Sequence, residues 1–186
     1  AVLQQQPQPA AHVDPNDPQA VFVRKVLGST EKVWHDQFST IGAHYREPKL
    51  ELFTGHVQSA CGFAEAAVGP FYCPGDQKVY LDLSFFHVME QQLHARGDFA
   101  RAYVIAHEVG HHVQHLLKYG ERAERDKQRE NENKASVRLE LQADYLAGVW
   151  GHYAQKALKL DSRDLDSALN AAFQIGDDTL QKAARA

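Results

Sequence analysis

A helix carrying His107-Glu108-Val109-Gly110-His111 must set two imidazoles one turn apart on the same face. Both rings can then reach one metal ion, and Glu108 lies beside them, placed to take a proton from a metal-activated water. Two histidines do not complete a catalytic zinc site, which uses three protein ligands and keeps one position open. The third has to come from elsewhere, and the choice falls on Glu140, 29 positions after His111. That choice requires a second helix folded back beside the first. The run from Val137 to Trp150 has the helical pattern, with Glu140, Asp144 and Ala147 on one face. Small Ala143 and Ala147 permit close approach, and Gly110 leaves room on the opposing helix. Asp144, one turn after Glu140, is placed to accept the free N–H of a ligand histidine and so fix its tautomer.

A bare His-Glu-x-x-His recurs by chance, so its surroundings matter. Tyr103-Val104-Ile105-Ala106 ahead of the motif is apolar, which puts the motif on a partly buried helix. The expected chemistry is peptide-bond hydrolysis with one zinc per chain. Zinc brings the pKa of its water toward ~7, and Glu108 moves the proton to the leaving amine. The donor that steadies the oxyanion is open among His152, Tyr145, Tyr80 and Arg138; His152, three turns past Glu140, is favoured and counted with Glu108 as catalytic. Two rival readings stand beside this one. The first is an inactive zinc-binding or interaction domain that keeps the peptidase fold; the second is a zinc hydrolase acting on a non-peptide amide or ester. An intact Glu108 favours turnover, because metal binding alone needs no general base. His112 and His115 are expected to be exposed helix positions. His35, His44, His56, His87 and His94 have no evident partners.

The chain resembles the bacterial neutral zinc metallopeptidases. The resemblance rests on Cys61-Gly62, Gly69 to Pro74, Asp76 to Asp82, Gly97 to Ala100, Ala102 to Gln114, Arg138 to Trp150 and Ile175-Gly176-Asp177-Asp178, spread over most of the chain from about Ala20. It implies zinc held by His107, His111 and Glu140 with Glu108 catalytic, a peptide or protein substrate, and a domain attached to the membrane through an N-terminal anchor. No such anchor is seen in this chain. The family also continues past Gly176-Asp177-Asp178 with a tail containing histidine and tryptophan, whereas this chain stops at Ala186. The absence of a starting Met fits a trimmed chain. More distantly, the pattern from Glu140 to Asp144 is similar to that of gluzincins such as the prenyl-protein endopeptidases.

A length of 186 residues fits one domain with a real core. The formal net charge of −4 offers no basic footprint for nucleic acid. No apolar run approaches the ~20 residues of a membrane helix. Cys61 and Cys73 are the only cysteines, and the Gly- and Pro-bearing loop between them fits a disulfide, hence an extracytoplasmic location, periplasmic or cell-surface. Two reduced cysteines or a second metal site are the alternatives.

The expected fold is α+β, mostly helical and zincin-like, with a small sheet. Residues 1–18, rich in Gln, Pro, Ala and Asp, read as a flexible linker, and residues 19–186 as the metallopeptidase domain. Pro18 opens a helix expected to run from Gln19 to Tyr45, with Val23, Val26, Leu27, Val33, Trp34, Phe38 and Ile41 on its apolar face. Lys49 to Val57 reads as a strand and Cys61 to Pro74 as a loop. Val79 to Leu83 reads as a strand, a candidate edge for pairing with extended substrate. Phe85 to Ala95 reads as a helix, and Asp98 as a cap of the motif helix. Lys118 to Lys134, dense in charges of both signs, reads as solvated. Arg138 to Leu158 reads as the second ligand helix and Asp161 to Ala184 as a last helix.

Overall fold

The computed structural model describes residues 13–65, 69–86, 98–119, 125 and 132–158. The expectations placed on residues 1–12, on 87–97 including His87 and His94, on most of the charged stretch and on the last helix lie outside these residues.

Among the described residues, three long helices and two small sheets form an α+β architecture. Helix α1 spans Pro18–Thr40. Asp17 caps its start, the carboxylate accepting from the Gln19 amide at 2.8 Å, and Pro18 fills the first turn where a missing N–H costs nothing. The helix ends at Thr40 and not at Tyr45, because Gly42 adopts φ 69° and the Ala43 amide turns back to the Phe38 carbonyl at 2.9 Å. That turn carries Ile41 off the apolar face, and its side chain is 66% exposed. Val23, Val26, Leu27, Val33, Trp34 and Phe38 are buried as their spacing predicts.

Strands β1 (Lys49–Phe53), β4 (Phe71–Cys73) and β5 (Lys78–Asp82) form one sheet in the order β1-β5-β4. β5 runs parallel to β1 and antiparallel to β4. β5 is therefore the central strand, with both edges paired and Val79 to Asp82 buried. This corrects the edge role expected for Val79 to Leu83: its ladder groups are occupied by neighbours, an arrangement that alternation along one strand cannot reveal. Gly55, at φ 80°, breaks the expected strand from Lys49 to Val57, so that β2 (His56–Ser59) leaves the first sheet. β2 pairs with β3 (Gly62–Glu65) as a separate antiparallel hairpin. The segment from Cys61 to Pro74, expected as a loop, thus contains β3 and β4. Cys61 and Cys73 form a disulfide, and Cys73 is buried with Phe53, Val57 and Tyr80.

Helix α2 (Asp98–Leu116) and helix α3 (Glu132–Leu158) pack antiparallel. Phe99 stacks on Trp150 at one end, and Gln114 reaches the Leu139 carbonyl at the other. Trp150 is fully buried, and its indole donates to Ser29 of α1 at 3.1 Å, locking the third helix to this pair. No helix among the described residues is long and apolar enough to cross a membrane.

Candidate metal centre

The middle turns of α2 and α3 meet at glycine and alanine. Ala143 and Ala147 are completely buried, and Gly110 lies against the Ala143 backbone. This close approach brings Glu140 across to the two motif histidines. His107 Nε2 lies 3.0 Å from Glu140 Oε2, and His111 Nε2 lies 3.3 Å from Glu140 Oε1. Ligand atoms of all three residues fall within 4.8 Å of one another, the one such group among the described residues. The two rings stand at 89° with centroids 4.8 Å apart, so their nitrogens converge.

The donor set fits zinc. Bond lengths of about 2.0–2.1 Å in a tetrahedron place neighbouring ligand atoms roughly 3.3 Å apart, close to the two separations found. Three protein ligands leave one position open, as catalytic sites require. The remaining ring nitrogens are also held. His107 Nδ1 donates to Asp144 Oδ1 at 2.7 Å, and His111 Nδ1 donates to Gln114 Oε1 at 2.8 Å. Both bonds leave Nε2, on the side facing Glu140, as the nitrogen that can ligate once its proton is displaced. Tyr103 steadies the same turn of α3 by donating to the Asp144 carbonyl at 2.8 Å.

Electrostatics follow from this crowding. Burial opposes charge on His107, but the hydrogen bonds from Asp144 and Glu140 and the charge of Glu108 win, and its pKa is pushed up to about 10. Burial likewise opposes ionisation of Glu140, yet the two imidazoles hold its carboxyl well below the usual range. Glu108 is pushed up, chiefly by burial; His107 and His111 oppose this, and Glu140 and Asp144 add to it. Protons on the imidazoles thus sit where a cation would, and a metal has to displace them.

Of the residues expected here, His107, Glu108, His111, Glu140 and Asp144 come together. His152 does not join them. It lies twelve residues past Glu140 on the same helix, about 18 Å along the axis, exposed and with its ring against Tyr153. It lines an open cleft of about 730 Å³ that it shares with Asp144, Tyr103, Leu141, Tyr145 and Tyr153. Tyr80 is buried in the sheet and donates to Asp76. Tyr145 is 71% exposed on the cleft wall, and Arg138 is exposed.

Gln114 escaped the sequence reading. Its partners Leu139 and Gln142 sit on the other helix, and its one local signal is its position three residues after His111. His112 is corrected outright: it is fully buried, accepting from Tyr72 OH at 2.6 Å and donating to the Arg46 carbonyl at 2.6 Å. Its neighbours arrive from β4 and from the segment before β1, so the helical pattern alone does not disclose its burial. His115 is half-buried beside Tyr72. His35 has a partner after all in Glu47, at 2.7 Å, and His44 and His56 meet the rings of His35 and Phe63.

YpfJ of Escherichia coli, an uncharacterized protein, is 47% identical over 181 residues, covering 95% of this chain and 63% of its own length. The uncharacterized protein Rv2575 of Mycobacterium tuberculosis is 43% identical over 149 residues, covering 74% of this chain and 50% of its own length. The chain thus spans between half and two thirds of these curated relatives. No solved structure matches. The family described as "Putative neutral zinc metallopeptidase" matches residues 1–186, and the chain belongs to that family.

Proposed function

We propose that the domain is a zinc-dependent endopeptidase with a zincin-like fold, working outside the cytoplasm. The observation that carries this reading is the aim of both Nε2 atoms at the two oxygens of Glu140, with Glu108 buried beside them. When bound, zinc supplies Lewis acidity, which acidifies water and polarises a carbonyl. The protein does the rest. His107, His111 and Glu140 hold the cation, and Asp144 and Gln114 keep both imidazoles in the ligating tautomer. Glu108 takes the proton of the attacking water and returns it to the leaving amine, a task suited to a carboxyl whose proton affinity is raised by burial.

The open cleft along α3 supports a polypeptide substrate. Leu141, Tyr145 and Tyr153 are more than half exposed along it, and Asp144 joins it to the histidines. His152 lies at the far part of the cleft, where its role is contact with bound chain. The disulfide supports an oxidising compartment.

Glu108→Gln tests the reading. Zinc per chain should stay at one while cleavage of an unfolded protein substrate disappears. Cleavage that survives the change rejects this mechanism. Turnover of simple esters or acyl amides with no cleavage of peptides by the wild type would favour the non-peptide hydrolase. Zinc bound without turnover of anything would favour the inactive domain.

A further inference from the structure

We infer that Gln114 is the positioning residue of the metal centre, fixing His111 as a ligand and tying it to the turn of α3 that carries Glu140. Its carboxamide is almost fully buried, with 3% exposure, and every polar atom is engaged. Oε1 accepts from His111 Nδ1 at 2.8 Å. Nε2 donates to the Leu139 carbonyl at 2.8 Å and to Gln142 Oε1 at 2.8 Å. Leu139 immediately precedes Glu140, so one side chain spans from one ligand to the backbone beside another.

This arrangement needs a carboxamide. An acceptor alone would satisfy His111, and a donor alone would satisfy the Leu139 carbonyl; a side chain with both, on adjacent atoms, registers the two helices against each other. A partner of this kind fixes ring orientation and tautomer, so its loss weakens metal binding without removing a ligand. Asp144 serves His107 in the matching position but carries a charge. The neutral amide at Gln114 holds the second imidazole without adding another anion to a cluster that already contains Glu108, Glu140 and Asp144.

The inference rests on the zinc reading, and the test separates the two. Zinc affinity of the purified chain is measured by chelator competition for wild type, Gln114→Leu, Gln114→Glu and Gln142→Leu, with circular dichroism to check folding. Gln114→Leu should weaken zinc by about tenfold to a hundredfold. Gln114→Glu, which keeps an acceptor for His111 but loses the donor to Leu139 and adds an anion, should recover only part of that loss, and Gln142→Leu should stay near wild type. A Gln114→Leu protein that is folded and binds zinc as tightly as wild type overturns the inference while leaving the metal site standing. Failure of the wild type to bind zinc overturns both. Nitrogen NMR of zinc-loaded wild type gives a second check that needs no variant. His111 should show a metal-bound Nε2 and a slowly exchanging Nδ1–H; a metal-bound Nδ1, or an Nδ1–H in fast exchange with solvent, rejects the role.

Discussion

A Cβ added to Gly110 would stand 3.0 Å from the carbonyl oxygen of Ala143. The helix that carries the motif therefore rests directly on the backbone of the helix that carries Glu140. Gly110→Ala should gain up to about 1 kcal/mol of helix propensity and lose about 1–3 kcal/mol to overpacking. Stability should therefore fall modestly or hold, while zinc affinity drops because Glu140 is pushed away from the histidines. Urea unfolding and chelator competition on the same protein read the two effects. A variant with unchanged zinc affinity would show that the separation of the helices does not govern the site.

His112→Leu should destabilise the fold and spare the metal. The change removes the acceptor of Tyr72 OH and the donor to the Arg46 carbonyl. Leaving such a group buried and unpaired costs about 1–3 kcal/mol. A lower denaturation midpoint with one zinc still bound is the expected result. Loss of zinc with an intact fold would place His112 among the ligands.

Asp76 links stability to pH. Burial raises its carboxyl, but the Tyr80 hydroxyl, the amides of Ala60 and Lys78 and the Lys78 charge outweigh it and hold the pKa below its ordinary value. Because the folded value lies below the unfolded one, its contribution is complete above the unfolded pKa and is lost as pH falls through the folded value. The stability gap between wild type and Asp76→Asn should be constant near neutrality and shrink at acid pH. Urea titrations at pH 7 and pH 3, either side of the ordinary Asp value of about 4, will show it; a gap that widens in acid contradicts the assignment.

Reducing the Cys61–Cys73 disulfide should lower the melting temperature. A loop of this size is worth ~3 kcal/mol in the chain-entropy picture. The paired Cys61→Ser, Cys73→Ser variant should melt at the temperature of the reduced wild type. Equal melting with and without reductant would show that burial of Cys73, not the bond, anchors β4.

Much of the centre was legible because it is built on helical periodicity. His107 and His111 share a face at any i and i+4, and Glu140 and Asp144 repeat the relation on α3. What escaped notice depends on partners brought from elsewhere. Gln114 looks like any polar residue until Leu139 and Gln142 lie across from it. His112 looks exposed until Tyr72 and Arg46 close over it. The central place of β5 follows from strand order, and alternation along Val79 to Leu83 is the same for an edge strand as for a central one. Apolar periodicity carries helix α1 five residues too far because a Gly-Ala turn, with φ 69° at Gly42, ends it inside a still-periodic run.

His107 and Glu140 are 33 positions apart in the chain yet 3.0 Å apart in space. An unfolded chain cannot present them together, so a cation held there binds the native form alone. The centre is then a latch between two helices. Free zinc at a hundred times its dissociation constant would add about 2.7 kcal/mol to the native state, and a chelator would act on this protein as a mild denaturant. Domain lifetime would follow the zinc available to it.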